Sequence, residues 1–232
     1  MSENVFAGID FETVAPHIPT DDVENDHMFL MSIARDRSPS MSSFQGAMKK
    51  STQEFIDSIK QSKSDDEILV ALTEFDSRID YYDFNPVDDM PTNYRTDAGM
   101  TALFDAIIVA QKHLFDGSGN GYLEQLNASG VRTRGALVIF SDGQDNDSRA
   151  SASDARKAVE LLKKQEILVA FIAFGDPAKG IADQIGVDPQ NVLETAATAS
   201  DLREIWGIIS KSAVSASKNA ATGTSQSTFF SV

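Results

Sequence analysis

Apolar runs of strand length alternate along this chain with stretches whose apolar residues recur every three or four positions, the pattern of βαβ units around a mostly parallel sheet. The first run, "HMFLMSIA" at 27–34, predicts a strand. Phe44, Ala47, Met48, Phe55, Ile56 and Ile59 then share one face of a helix over about 43–61. "EILVALTEF" and the more polar "RIDYYDFNPV" predict two strands joined by the short "DSR" as a hairpin, with Pro86 marking an edge strand. A second helix is expected to begin near Thr101 and to bury Leu103, Phe104, Ile107, Ile108 and Leu114.

"GALVIFS" at 135–141 and "EILVAFIAFG" at 166–175 are continuous apolar runs of the kind a parallel sheet buries on both faces. Between them "DARKAVELLKKQ" reads as a helix, with Ser151 and Asp154 spaced as a capping box. A short helix at 178–185 and a weak strand at "NVLET" precede a last helix, N-capped by Ser200, in which Leu202, Ile205, Trp206, Ile209 and Ala213 line one face. Core packing is the expectation for Trp206. The predicted fold class is α/β: doubly wound and Rossmann-like, a mostly parallel sheet flanked by helices with one antiparallel edge strand.

The ends differ from this middle. Residues 1–26 hold 7 of the 35 acidic residues and no Lys or Arg, yet carry Val5, Phe6, Ile9, Phe11, Val14 and Ile18, so this acidic extension is expected to pack on the domain at 27–218. The final stretch, 219–232, is small and polar before "FF", and residues 219–228 are expected to be flexible.

Charge and composition narrow the function classes. A net charge of -15 disfavours nucleic acid, whose phosphates require basic clusters, and favours cations and basic surfaces. The absence of cysteine excludes disulfides, thiolate metal sites and a cysteine nucleophile. The longest apolar run, "ILVAFIAF", has eight residues, against the roughly 20 that span a bilayer. "MSENVFAGIDFETV" lacks the basic and apolar regions of a signal peptide, and a cytoplasmic protein without membrane partners is expected.

The chemistry concentrates at predicted strand ends and helix starts. "DRSPSM" places Asp36, Ser38 and Ser40 at alternate positions after the first strand, where α/β folds put their sites. "GMTALFDA" brings Thr101 at a helix start, and "IFSDGQDND" brings Asp142 after a buried strand. Two carboxylates and three hydroxyls without imidazole or thiolate form a hard oxygen set suited to Mg²⁺, Mn²⁺ or Ca²⁺ rather than zinc. Taken singly, each hydroxyl reads more readily as a helix cap.

In that order and on those elements, the three motifs resemble the metal-ion-dependent adhesion site (MIDAS) of von Willebrand factor A (VWA) domains, D-x-S-x-S followed by a distant Thr and then Asp. The resemblance covers about 27–212 and implies the VWA fold. It implies that Ser38 and Ser40 bind a divalent cation, Mg²⁺ first, through their hydroxyls, and that Thr101 binds directly in one state. Asp36 and Asp142 are implied to act largely through coordinated waters, leaving one position open for a partner's Asp or Glu. The ending "DLREIWGIISKSAVSASKNA" looks most like small bacterial VWA proteins of the tellurium-resistance and stress-response type, which implies kinase- or phosphatase-like stress-operon partners.

Pro39 stands where Gly is more usual and is expected to stiffen the loop. Arg35 and Arg37 either pair with Asp36 or Asp142 or help recognise a partner's carboxylate. Counted from Asp142, an EF-hand fails, because Asp147 and Ser153 occupy the required Gly and Glu positions, and the loop of Asp145 and Asp147 reads as solvated. "GSGNG" at 117–121 follows a helix and reads as a surface turn, and His17, His27 and His113 are too scattered for a catalytic motif. A non-enzymatic, metal-dependent protein-binding module is the leading expectation. A metal-dependent hydrolase and a structural subunit with a vestigial site are the alternatives.

Overall fold

The computed structural model describes residues 26–62, 67–97, 99–195, 198–222 and 228–230. Six strands, β1 (His27–Asp36), β2 (Ile68–Phe75), β3 (Ile79–Pro86), β4 (Arg132–Ser141), β5 (Leu168–Phe174) and β6 (Val192–Thr195), form one sheet in the order β3-β2-β1-β4-β5-β6. All neighbours pair in parallel except β2 and β3, the antiparallel hairpin at one edge. β3 is also the strand whose residues alternate between half-buried and exposed, as an edge requires.

The central strands bury both faces. In β1, Met28, Leu30 and Ala34 join one core while Phe29, Met31 and Ile33 join the other, the period of two that a pleated strand imposes. The first core is covered by α2 (Leu103–Leu114), α3 (Tyr122–Ala128), α4 (Ala152–Lys164) and α5 (Asp176–Gln184). The second is covered by α1 (Gln45–Gln61) and α6 (Ala199–Thr222). Trp206 lies in this second core, stacked on Phe140 with ring centroids 4.8 Å apart and tilted on Phe55 at 4.9 Å.

Several boundaries move from their expected places. β4 begins at Arg132, three residues before the apolar run, because parallel pairing with β1 starts at His27. The α3 helix was not predicted at all: seven residues are too short to show a period. The last helix is capped by Thr198, not Ser200: Thr198 Oγ1 accepts from Asp201 N at 3.2 Å while Asp201 Oδ2 accepts from Thr198 N at 3.3 Å. The Ser151–Asp154 capping box is present as expected.

Helix occupies 219–222, where flexible chain was expected, and Phe229 and Phe230 are buried in the second core. Phe229 N donates to Asn191 Oδ1 at 2.8 Å, which ties the tail to the turn before β6. The packing expected of the acidic N-terminal segment concerns residues outside the described ones, as does the expectation for 223–227. No helix among the described residues is long and apolar enough to cross a membrane.

Candidate metal centre

Parallel register brings the first and third motifs together. Arg35 on β1 faces Phe140 on β4, so Asp36 and Asp142 end adjacent strands on the same rim of the sheet. Asp36 is fully buried. Its Oδ1 accepts from Ser38 N at 2.8 Å and its Oδ2 from Ser141 Oγ at 2.7 Å. Ser38 Oγ and Ser40 Oγ lie 3.0 Å apart, the first buried and the second exposed, so the hydroxyl pair runs from the carboxylate out to solvent.

Thr101 is anchored through its backbone to the loop that follows Asp142. Its N donates to Asn146 Oδ1 at 2.7 Å, and its carbonyl accepts from Asn146 N at 2.9 Å and Asp147 N at 3.0 Å. This pins the Thr101 loop to the loop carrying Asp142. On the other side Ala102 N donates to Asp76 O at 2.8 Å, which ties the same loop to the end of β2.

The helix-cap reading of these hydroxyls fails. Ser38 precedes the short 3-10 turn Pro39–Phe44 without a side-chain capping bond, and Pro39 opens that turn at a position that needs no amide. Ala102, not Thr101, is the N-cap residue of α2. The first amides of α2 are satisfied from a neighbouring loop instead: Phe104 N by Asp145 Oδ1 at 3.2 Å and Asp105 N by Ser148 Oγ at 3.1 Å. Asp145 is therefore a structural cap, not the solvated residue expected of it.

Burial is the largest influence on the Asp36 carboxyl and pushes its pKa up to about 6; the hydrogen bonds from Ser38 and Ser141 oppose this and the charge of Asp142 adds to it. Neither flanking arginine relieves it. Arg35 is fully buried and turned away, its Nε and Nη2 donating to Glu74 Oε1 at 3.0 and 2.6 Å and its Nη1 to Thr52 Oγ1 at 3.3 Å. Arg37 pairs with Asp76 at 3.2 Å and Asp80 at 2.5 Å; the Asp76 contact lacks hydrogen-bond geometry and is an ion pair only. The expected pairing of these arginines with Asp36 or Asp142 is replaced by this one. Among the described residues Asp36 and Asp142 form no salt bridge.

A rim with two adjacent carboxylates and two converging hydroxyls, and with no cationic side chain paired to either carboxylate among the described residues, is chemically complementary to a hard divalent ion. A model of the von Willebrand factor type A domain matches residues 31–207. The chain belongs to the VWA domain family.

Several solved structures share the fold at low identity. The pilus adhesin SpaC from Lactobacillus rhamnosus GG, in its open conformation, superposes with a TM-score of 0.61 at 12% identity over 81% of this chain and 30% of that one. Proximal thread matrix protein 1 from the mussel byssus, with a zinc-occupied MIDAS motif, gives 0.58 at 16% over 82% of this chain and 47% of that one. The conserved hypothetical protein BatB from Bacteroides thetaiotaomicron gives 0.50 at 16% over 81% and 99%. The VWA chain thus spans less than half the length of the adhesin and of the byssus protein. No curated protein matches it.

Sequence reasoning missed the residues that hold the site. Ser141 links Asp36 to Gly143, whose N donates to Ser141 Oγ at 3.0 Å; its signal was a hydroxyl ending an otherwise apolar strand. Tyr94 is buried, donates its hydroxyl to the Asp36 carbonyl and stacks its ring 5.0 Å from the Arg35 guanidinium. Nothing in its local sequence marks it, because its partner lies 58 residues away.

Proposed function

We propose that this VWA domain is a non-enzymatic, metal-dependent protein-binding module in which Ser38, Ser40 and Thr101, supported by Asp36 and Asp142, hold a divalent cation. One observation carries the reading: a fully buried carboxylate beside two hydroxyls 3.0 Å apart, with no cation paired to it among the described residues. When bound, the cation supplies a Lewis-acidic position that a partner's Asp or Glu completes. The chain's own residues orient the donors: Ser141 fixes Asp36, and Asn146 fixes Thr101.

Donor hardness ranks Mg²⁺ first, with Mn²⁺ and Ca²⁺ next. The zinc in the byssus protein's MIDAS keeps Zn²⁺ within the set to be tested. Against a hydrolase, both histidines among the described residues are engaged elsewhere: His27 lies 3.4 Å from Glu67, and His113 stacks on Tyr81 with centroids 3.6 Å apart. Neither of these imidazoles is therefore free to serve as a general base. A stress- or tellurium-response setting, with kinase- or phosphatase-like partners, rests on the sequence of α6 alone.

Thermal melts with EDTA and with Mg²⁺, Mn²⁺ or Zn²⁺, beside Thr101→Ala, test the site. A metal that binds the native state raises the wild-type midpoint by mass action, and the variant should lose most of that gain. Capture of a protein from the host with metal, but not with EDTA, tests the function. Identical melts with and without every metal overturn the site.

A further inference from the structure

Position 35 continues the face of β1 formed by Phe29, Met31 and Ile33, which packs into the second core beneath α1 and α6. Its occupant is an arginine, and it is fully buried. Glu74, its register partner on β2, accepts from Nε and Nη2 at 3.0 and 2.6 Å through Oε1. Nη1 donates to Thr52 Oγ1 at 3.3 Å, and that hydroxyl donates in turn to Met48 O at 2.8 Å inside α1. An apolar pair of similar volume would give such a core equal or greater stability. What the charge supplies is therefore direction: a planar fork held in one orientation can hold a neighbour in turn.

That neighbour is Tyr94. Its buried ring lies with its centroid 5.0 Å from the guanidinium carbon, within cation–π range. It belongs to the stretch 91–97, which has no regular secondary structure to fix the ring by itself. The Tyr94 hydroxyl donates to the Asp36 carbonyl, and the nitrogen of that same peptide, Arg37 N, donates to Phe75 O at 2.9 Å. Both ends of one planar unit are thus held. The Asp36 carboxylate stands on one side of it and the Ser38 amide that binds this carboxylate stands on the other. Arg37 O accepts from Asp97 N at 3.0 Å, so the segment carrying Tyr94 also grips the next peptide of the site loop.

We infer that Arg35, locked by Glu74 and Thr52, is a positioning residue of the metal centre that acts through Tyr94 on the Asp36–Arg37 peptide. Removing it leaves every proposed ligand in the chain but frees that peptide to rotate, and with it the carboxylate that organises the hydroxyls. Because the same fork ends on Thr52, one group sets both the seat of α1 on the sheet and the geometry of the site. The inference rests on the metal-binding reading for its effect on affinity. Its effect on the metal-free loop does not.

Arg35→Met with Glu74→Leu removes the fork without stranding a buried charge, and Tyr94→Phe removes only the hydroxyl. In EDTA, amide hydrogen exchange followed by NMR should show Arg37 and Ser38 exchanging about tenfold faster in both variants, the equivalent of one lost hydrogen bond. Met31 and Ile33 in the same strand are the reference. In calorimetric titration the Mg²⁺ dissociation constant should rise about 10–100-fold in each variant. Combining all three substitutions should add little to either, because Arg35 acts through Tyr94. Thr52→Val, which removes only the acceptor of Nη1, should give the same changes at smaller size and keeps the test open if the double variant unfolds. Wild-type exchange and affinity in a folded double variant overturn the inference. So do effects that multiply on combination, as separate supports would. Failure of the metal-binding reading appears separately, as a wild type whose melting responds to no divalent ion, and the exchange rates then decide the inference by themselves.

Discussion

Asp36→Asn should stabilise the metal-free protein and abolish its response to metal. The folded-state pKa of Asp36 is about 6, against an ordinary 3.8. Two units at about 1.4 kcal/mol each put the cost of the buried charge near 3 kcal/mol. Because the folded pKa is raised, the cost is fully present above about pH 6 and is relieved as pH falls from 6 towards 3.8. Asn keeps the shape: its oxygen can accept from Ser38 N, and its amide can donate to Ser141 Oγ. Chemical denaturation in EDTA between pH 4 and 8 reads the difference between variant and wild type. That difference isolates Asp36 from other titrating carboxyls such as Asp145, which burial also raises.

The variant should be more stable by up to about 3 kcal/mol at pH 8, a midpoint shift of about 6–12 °C, and the gap should close by pH 4. In Mg²⁺ at a hundred times its dissociation constant the wild type should regain about 2.7 kcal/mol, and the variant nothing. A variant less stable than wild type at pH 8 in EDTA, with a difference flat in pH, would refute the reasoning: the carboxylate would then be compensated within the fold.

Three further outcomes are expected. Gly143 has φ of +80° and a Cβ there would stand 2.4 Å from Ala178 Cα, so Gly143→Ala should cost about 2–5 kcal/mol in urea denaturation. Tyr94→Phe leaves the Asp36 carbonyl without its hydroxyl donor and should cost about 1–3 kcal/mol while weakening Mg²⁺ in calorimetric titration; unchanged affinity would remove Tyr94 from the site's support. Glu74→Gln, which breaks the buried pair with Arg35, should cost about 3–5 kcal/mol, whereas Arg35→Met combined with Glu74→Leu should recover most of it; equal losses would show that the pair itself carries the stability.

The order of elements, the parallel sheet and its antiparallel edge were legible in the chain because strand and helix periods are local properties of side-chain spacing. The five proposed ligands were legible for the same reason, as short motifs at predicted strand ends. α3 was not, since seven residues hold too few turns to display a period. The cap of α6 was misplaced because Thr198 and Ser200 are equally good caps by type, and only the folded turn selects one.

What the sequence determined by itself was thus the class of the fold and the residue types at its rim. Tertiary structure decided the electrostatics. Arg35 and Arg37 flank Asp36 in the chain, yet alternation along an extended backbone turns both away from its carboxylate, Arg35 to pair with Glu74 and Arg37 with Asp76 and Asp80. The carboxylate between them is left buried and, among the described residues, without a paired cationic side chain, a condition set by packing across neighbouring strands that no reading of adjacent residues contains.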